Sequence, residues 1–457
     1  MPRLLLLTTL ALALLQPSAV AGQENAGPTL PPPLPNAITY VAGSTQKICQ
    51  LTGETDLQLG QPTASQTGTR FGLFGADLGY SFEHDGKLFF LFGDAMPDRM
   101  FKGQPNGSPP RDPNANDAIA YATATTGGQC PTLDFFTNAN GSFRSPVVLN
   151  AQGQPAITLR VDEQPIAGIS QGGRMYVIFA TDNYVYPTPG PAPGALGFAT
   201  RTVLAASDDD GSTFHYLYDF SAGPDAKFIN VAIARGDDGY LYFWGTQGGR
   251  LWRHSAPYFA RKLAARMDQA GGMEYFAGLA PDGTPTFAAA EAEALPLFAN
   301  DQGASAAPQD CMGELGVDWN PFVARWIMLS NCVDRTPTSL PGIHLRFAVQ
   351  PWGPWSDPQT IFNGMRDGGT CQFIHRAVTP TTSACDNLSA PNRIALAGGA
   401  YAPYFISRFT TGDATCGSST FYYTMATFNP YTQVLMQTTI QGPPLGQGDD
   451  GGAPPGC

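Results

Sequence analysis

Few basic residues, no closely spaced cysteine pair and little helical periodicity mark this 457-residue sequence. Lysine and arginine number 25 against 37 aspartates and glutamates, a formal charge of −12, which excludes a protein built to bind nucleic acid or an anionic membrane surface. No CxxC occurs among the eight cysteines, and His84, His215, His254, His344 and His375 show no ligand spacing. No oxygen-ligand loop resembles an EF-hand, so no cofactor and no catalytic metal site are expected, and a structural ion on a propeller axis is left open without being indicated. GxSxG, HExxH, a P-loop and a GxGxxG in a strand-to-helix setting are all absent, which removes serine-nucleophile, zincin and nucleotide-phosphate chemistry.

The long apolar run is Leu4 to Leu15, broken by Thr8 and Thr9, preceded by Arg3 and followed by Ala19-Val20-Ala21. It is too short to span a bilayer and reads as a secretory signal peptide over 1–21, cleaved after Ala21. The expectation is a secreted monomer with no membrane insertion. An even cysteine count suits an oxidising compartment. In CMGELGVDWNPFVARWIMLSNC, Cys311 and Cys332 are symmetric about a turn at Pro321-Phe322, so a hairpin of 313–319 with 325–331 would set the two sulfurs opposite each other. A Cys371–Cys385 bridge is expected as well; the remaining pairings stay open.

Glycine and proline, 52 and 41 residues, are spread along the chain, so turns recur throughout. A Pro-rich segment (22–39) and a Gly/Pro-rich tail (441–457) flank one body, 40–440. Within it a pattern returns about every eighty residues: a turn residue, then a run of aromatic and β-branched residues, then a small or polar stop. The runs are LFFLFGD, MYVIFATD, YLYFWGT, WIMLSN and FYYTMAT. Each is apolar on both faces, as a strand buried between sheets must be. Five such units predict an all-β, five-bladed β-propeller with these runs as its inner strands. A β-sandwich or two all-β domains are the alternatives. SDDDGSTF at 207–214 matches the Asp-box hairpin pattern, with Asp209 and Gly211 serving the turn. The segment 257–269, PYFARKLAARMDQ, is expected to be an amphipathic helix between blades.

Chemistry at the end of a propeller channel would fall to carboxylates at strand ends. Asp77 and Asp94 flank the Asp85-Gly86 turn in FGLFGADLGYSFEHDGKLFFLFGDA, and a carboxylate pair on rigid strands is the equipment for glycoside hydrolysis. Aspartate at strand ends also serves turns, the reading that fits Asp182. Glu163 and Glu314 adjoin predicted strands. Trp319, Tyr401, Tyr404 and Tyr431 lie near turns, where rings serve as sugar-stacking platforms, and His375 either faces a substrate or packs. His84, beside a hairpin turn, is expected to be exposed.

GADLGYSFEHDGKLFFLFGDA resembles the opening signature of glycoside hydrolase family 183, the domain of unknown function 4185. Further matching segments include EQPIAGISQGGRMYVIF, GELGVDWNPFVARWIML, PWGPWSDPQTIF and YYTMATFNPYTQVLM. The resemblance covers roughly 40–440. It implies a five-bladed propeller acting as an endo-D-arabinanase on internal α-D-arabinofuranosyl linkages of mycobacterial-type arabinogalactan and lipoarabinomannan. It also implies Asp77 and Asp94 as the catalytic pair, with Glu163, Glu314, Trp319 and Asn320 as cleft residues; His375 and Tyr401 complete the candidate substrate-binding set. The chain departs in having Ala76 and Ala95 beside those aspartates, which would remove a hydrogen bond orienting each carboxylate. A carbohydrate-binding propeller without catalysis is the rival reading. A sialidase-like hydrolase, suggested by the Asp box, lacks the expected F/Y-R-I-P segment.

Overall fold

The computed structural model describes residues 37–96, 117–123, 126–160, 162–185, 196–249, 255–298, 312–332, 342–390 and 393–445. They form five sheets arranged as the blades of a β-propeller, antiparallel except where Val148–Leu149 runs parallel to Phe214–Ala222, together with a separate two-stranded ladder of Thr55–Asp56 and Gln61–Pro62. The inner strands are Gly75–His84, Pro165–Gln171, Asn230–Arg235, Leu315–Asn320 and Gly399–Phe405, and each lies against the next around the ring, the fifth against the first.

The five apolar runs are therefore the second strands of the blades, not the innermost. Each is hydrogen-bonded along both edges, as Lys87–Met96 is to Gly75–His84 and to Ala118–Ala122. Its two faces are covered by neighbouring blades, so apolar residues at every position are buried, as in Leu88 to Phe92. The inner strands border the axis instead, and set polar residues such as Asp77 and Asn230 among buried apolar ones such as Leu78, Ile166 and Val231.

Aromatic packing joins blade to blade. Between blades 3 and 4, Trp244 sits 5.2 Å from Trp326 ring to ring, and its indole N–H donates to the Pro351 carbonyl at 2.9 Å. Both rings belong to one buried cluster with Tyr242, Phe259 and Trp355. In blade 5 the outer strand Thr432–Gln441 pairs with Gln46–Gln50 and with Thr39–Tyr40, so the two ends of the described chain share one sheet. Thr39, the last residue of the expected Pro-rich segment, thus pairs within the blade 5 sheet. A disulfide, Cys49–Cys130, ties that seam to blade 1, and Cys371–Cys385 closes a loop between blades 4 and 5. The expected Cys311–Cys332 bridge, the segment 1–36 and most of the tail lie outside the described residues.

The hairpin of Leu315–Asn320 with Arg325–Cys332 forms as expected, in the register Asn320 opposite Arg325. The segment 257–269 is not a helix. Tyr258–Leu263 is the third strand of blade 3, followed by a 3-10 turn at Ala264–Arg266, because blade 3 needs a partner for Tyr240–Thr246 and sheet pairing outweighs helical propensity. The Asp box closes its own turn: Ser207 Oγ donates to Asp209 at 2.7 Å and accepts the Gly211 N–H at 2.9 Å, and Asp209 accepts the Thr213 N–H at 2.8 Å. No helix among the described residues is long and apolar enough to cross a membrane.

Trp244→Ala is expected to destabilise the protein by ~3–5 kcal/mol, by opening a cavity between blades 3 and 4 and leaving the Pro351 carbonyl without its donor. Urea unfolding followed by fluorescence measures it.

Candidate active site

The inner strands all begin at one rim of the ring, and the second strands end there. Every blade sets a buried polar residue at that rim: Asp77, Gln164, Asn230, Glu314 and Tyr401, none more than 8% exposed. Asp77 is the third residue of the first inner strand and lies opposite Gly93, so Asp94 follows one residue beyond on the neighbouring strand. The pair is a consequence of hairpin register.

Asp94 has a left-handed backbone, φ 47, a conformation that costs a side-chain-bearing residue roughly 1 kcal/mol or more. Hydrogen bonds from both sides hold it there. Its N–H donates to Asp117 Oδ1 at 3.2 Å, and its Oδ1 accepts the Asp162 N–H at 3.0 Å. Asp77 Oδ2 accepts the Tyr401 hydroxyl at 3.0 Å. Burial, and then the negative charge of Asp94, push the Asp77 carboxyl from its ordinary 3.8 to about 7. Hydrogen bonds from Tyr431 and Tyr401 act in the opposite direction, and the charge of Glu314 adds to the rise.

Space at the pair is made by Gly93. A Cβ there would lie 1.9 Å from Gln164 Oε1 and 2.7 Å from Asp77 Oδ1, so the two oxygens flank the one spot a side chain would fill. Both are buried and have no hydrogen-bond partner. A proton on Asp77, or the Gln164 amide turned over, would supply the donor these two acceptors lack.

The other candidates divide. Glu163 is buried at this rim, but donors from Thr158, Arg160 and Asn183 occupy its oxygens, so it ties the loop before blade 2 to the end of that blade's second strand. Glu314 is buried at the start of the fourth inner strand. Trp319 and Asn320 are placed elsewhere: they end the strand that Glu314 precedes, and so lie at the opposite rim. Trp319 packs edge-on against Trp326, and Asn320 bonds Ser419 and the Phe322 N–H.

His375 is buried between Asp386, 2.6 Å from Nδ1, and the Ile394 carbonyl, 2.9 Å from Nε2, and so packs rather than facing a substrate. Tyr401 and Tyr404 are buried rather than exposed platforms, because inner strands turn their side chains inward. Tyr401 serves Asp77, and Tyr404 packs on Tyr80 at 5.2 Å. Asp182 is ion-paired with Arg201 at 2.6 Å, in keeping with a structural part. Ala76 and Ala95 point away from the pair into a core cluster with Leu88, Phe90 and Phe92, so neither faces a carboxylate.

Gln164 and Asp117 are absent from the candidates read in the sequence, and Tyr431, expected as a stacking platform, acts on Asp77 through its hydroxyl. Gln164 follows Glu163 directly, and only the register of two blades brings it to Asp77.

Residues 63–437 match the family model described as a domain of unknown function, DUF4185. The chain belongs to the DUF4185 family. No curated protein matches it. Among solved structures, this DUF4185 chain is similar to a GH43_1 enzyme from Xanthomonas citri at 12% identity and TM-score 0.39, over 83% of this chain and 89% of that one. An exo-β-1,3-galactanase from Phanerochaete chrysosporium matches at 8% identity and TM-score 0.42, over 86% and 64% respectively.

The raised carboxyl has a thermodynamic signature. An acid whose folded pKa lies above its unfolded one stabilises the fold below about pH 4, and that contribution is lost as pH rises through about 7. Asp77→Asn is therefore expected to gain stability over the wild type between these limits, by on the order of 4 kcal/mol at pH 8 and near zero at pH 4. Chemical denaturation across that range tests it, and a difference independent of pH contradicts it.

Proposed function

We propose that this DUF4185 protein is a secreted endo-D-arabinanase, a glycoside hydrolase in which Asp77 is the proton donor and Asp94 its ionised partner. The observation that carries the reading is the unequal pair: a desolvated Asp77 raised to about 7 beside the negative charge of Asp94. Glycoside hydrolysis needs one carboxyl that still holds its proton near neutrality and one carboxylate that does not. Asp77 gives its proton to the departing sugar oxygen as the glycosidic bond breaks. Asp94 stabilises the positive charge at C1, and acts as base toward water or as nucleophile at C1. The anomer formed first separates these two roles: retention requires the nucleophile, inversion the base.

Gln164 fits both protonation states of Asp77. Its carbonyl accepts from the protonated acid, and the amide turned over would donate to the ionised one. Tyr401 and Tyr431 favour the ionised form and keep the acid from becoming too weak to release its proton.

The D-arabinan substrate rests on the motif resemblance over 40–440 and agrees with the acidic balance of the chain, which suits a neutral polymer. Two disulfides agree with export. The rival reading, a binding propeller, has no use for a buried acid raised to about 7.

Purified protein incubated with D-arabinan is expected to release oligosaccharides of mixed length. Asp77→Asn and Asp94→Asn each lower the rate by about 10³-fold or more. Binding without new reducing ends would favour the lectin, and wild-type rates in both variants would remove the pair. The alkaline limb of the rate profile is expected near the Asp77 pKa of about 7. In Tyr401→Phe, which loses a donor to the ionised form, that limb moves to higher pH.

A further inference from the structure

At the rim opposite the aspartate pair, we propose that His84, Asp85 and Asp210 form a site for a divalent transition-metal cation of the zinc class, bridging blades 1 and 2. His84 ends the first inner strand, Asp85 follows it in the turn, and Asp210 comes from the Asp-box hairpin of blade 2. Contrary to the sequence expectation, His84 is buried: the blade 2 hairpin covers it, and its side chain is 2% exposed.

Nε2 of His84 lies 3.1 Å from Asp210 Oδ1 and 3.8 Å from Asp85 Oδ2. One atom from each of the three groups lies within 4.8 Å of the others. Zinc bonds of ~2.0–2.2 Å place adjacent donors about 3.0–3.5 Å apart; the His84–Asp210 spacing already falls in that range, and rotation of the exposed Asp85 carboxylate would bring its oxygen in by a few tenths of an ångström.

The surroundings suit a cation as well. Nδ1 of His84 is 2.8 Å from Ser170 Oγ, a partner that fixes the ring and leaves Nε2 turned toward both carboxylates, as in metal-bound histidines. A neutral imidazole with two carboxylates carries the charge that balances a dication. The Asp box itself has no need of Asp210, since Asp209 makes its turn bonds. The side chains of Asp85 and Asp210 are 67% and 57% exposed, so the ion has a path from solvent and room for a water ligand. The competing occupant of the gap is a proton on His84, which would make the cluster an ion pair. Among the described residues the other grouping of potential ligands, Cys371, Cys385 and Asp386, has its sulfurs joined in a disulfide.

The test is titration of the chelator-treated full-length protein with zinc chloride at pH 7.5 by calorimetry, with thermal unfolding in parallel. One site per chain and a rise in Tm are expected, and cobalt substitution should give visible absorption of a low-coordinate nitrogen and oxygen site. Asp85→Asn and Asp210→Asn, both on exposed turns, are each expected to weaken binding at least about tenfold, a loss consistent with removal of one ligand. Asp77→Asn is expected to bind as the wild type does. Absence of stoichiometric binding, with unfolding indifferent to zinc, would make the cluster an ion pair and overturn the proposal, as would binding that survives in the Asp85→Asn/Asp210→Asn double variant.

Discussion

Sheets whose second strands are apolar on both faces need cover on both sides, and the described residues, which hold almost no helix, supply it from five such sheets packed against one another. That constraint sets the ring. Once the second strands are buried between neighbours, the inner strands must start together at one rim and finish together at the other. Blade packing therefore decides which residues meet. Asp77 and Gln164 are 87 positions apart in sequence and flank the same methyl-sized gap at Gly93 because two blades abut there.

The chemical character of the rim follows from the same burial. Asp77 is an uncommon acid because the ring removes it from water and the hairpin register places a second carboxylate nearby. Tyrosine hydroxyls from the last blade restrain the effect. The pair thus belongs to the first hairpin of blade 1, with Tyr401 and Tyr431 added from blade 5 and Gln164 from blade 2.

Much of this could be read in the sequence, and what could not has physical causes. The recurring apolar runs and the Asp box revealed an all-β repeat, and Asp77 and Asp94 stood out by flanking a tight turn. The runs were assigned one strand too near the axis, because a strand buried by neighbouring sheets and one facing a narrow channel are both largely apolar. The segment 257–269 reads as an amphipathic helix, with Lys262 and Arg266 four residues apart, yet an open sheet edge takes its first part as the strand Tyr258–Leu263. Trp319 and Asn320 share one motif segment with Glu314, and the resemblance implies all three as cleft residues. An extended strand carries residues five positions apart to opposite rims. The parts played by His84, Gln164 and Tyr401 depend on contacts between blades, which no local pattern encodes.

The pairing of Thr39–Tyr40 and Gln46–Gln50 with Thr432–Gln441 also sets an order of events. Synthesis delivers the first strands of blade 5 long before the strand they pair with. Until residues 432–441 emerge, the early strands present unpaired backbone edges, and blade 1 lacks one neighbour. Completion of the ring is consequently a late, long-range step of folding, slow compared with forming any single hairpin. A chain cut short before its last strand would be exposed to self-association through those edges.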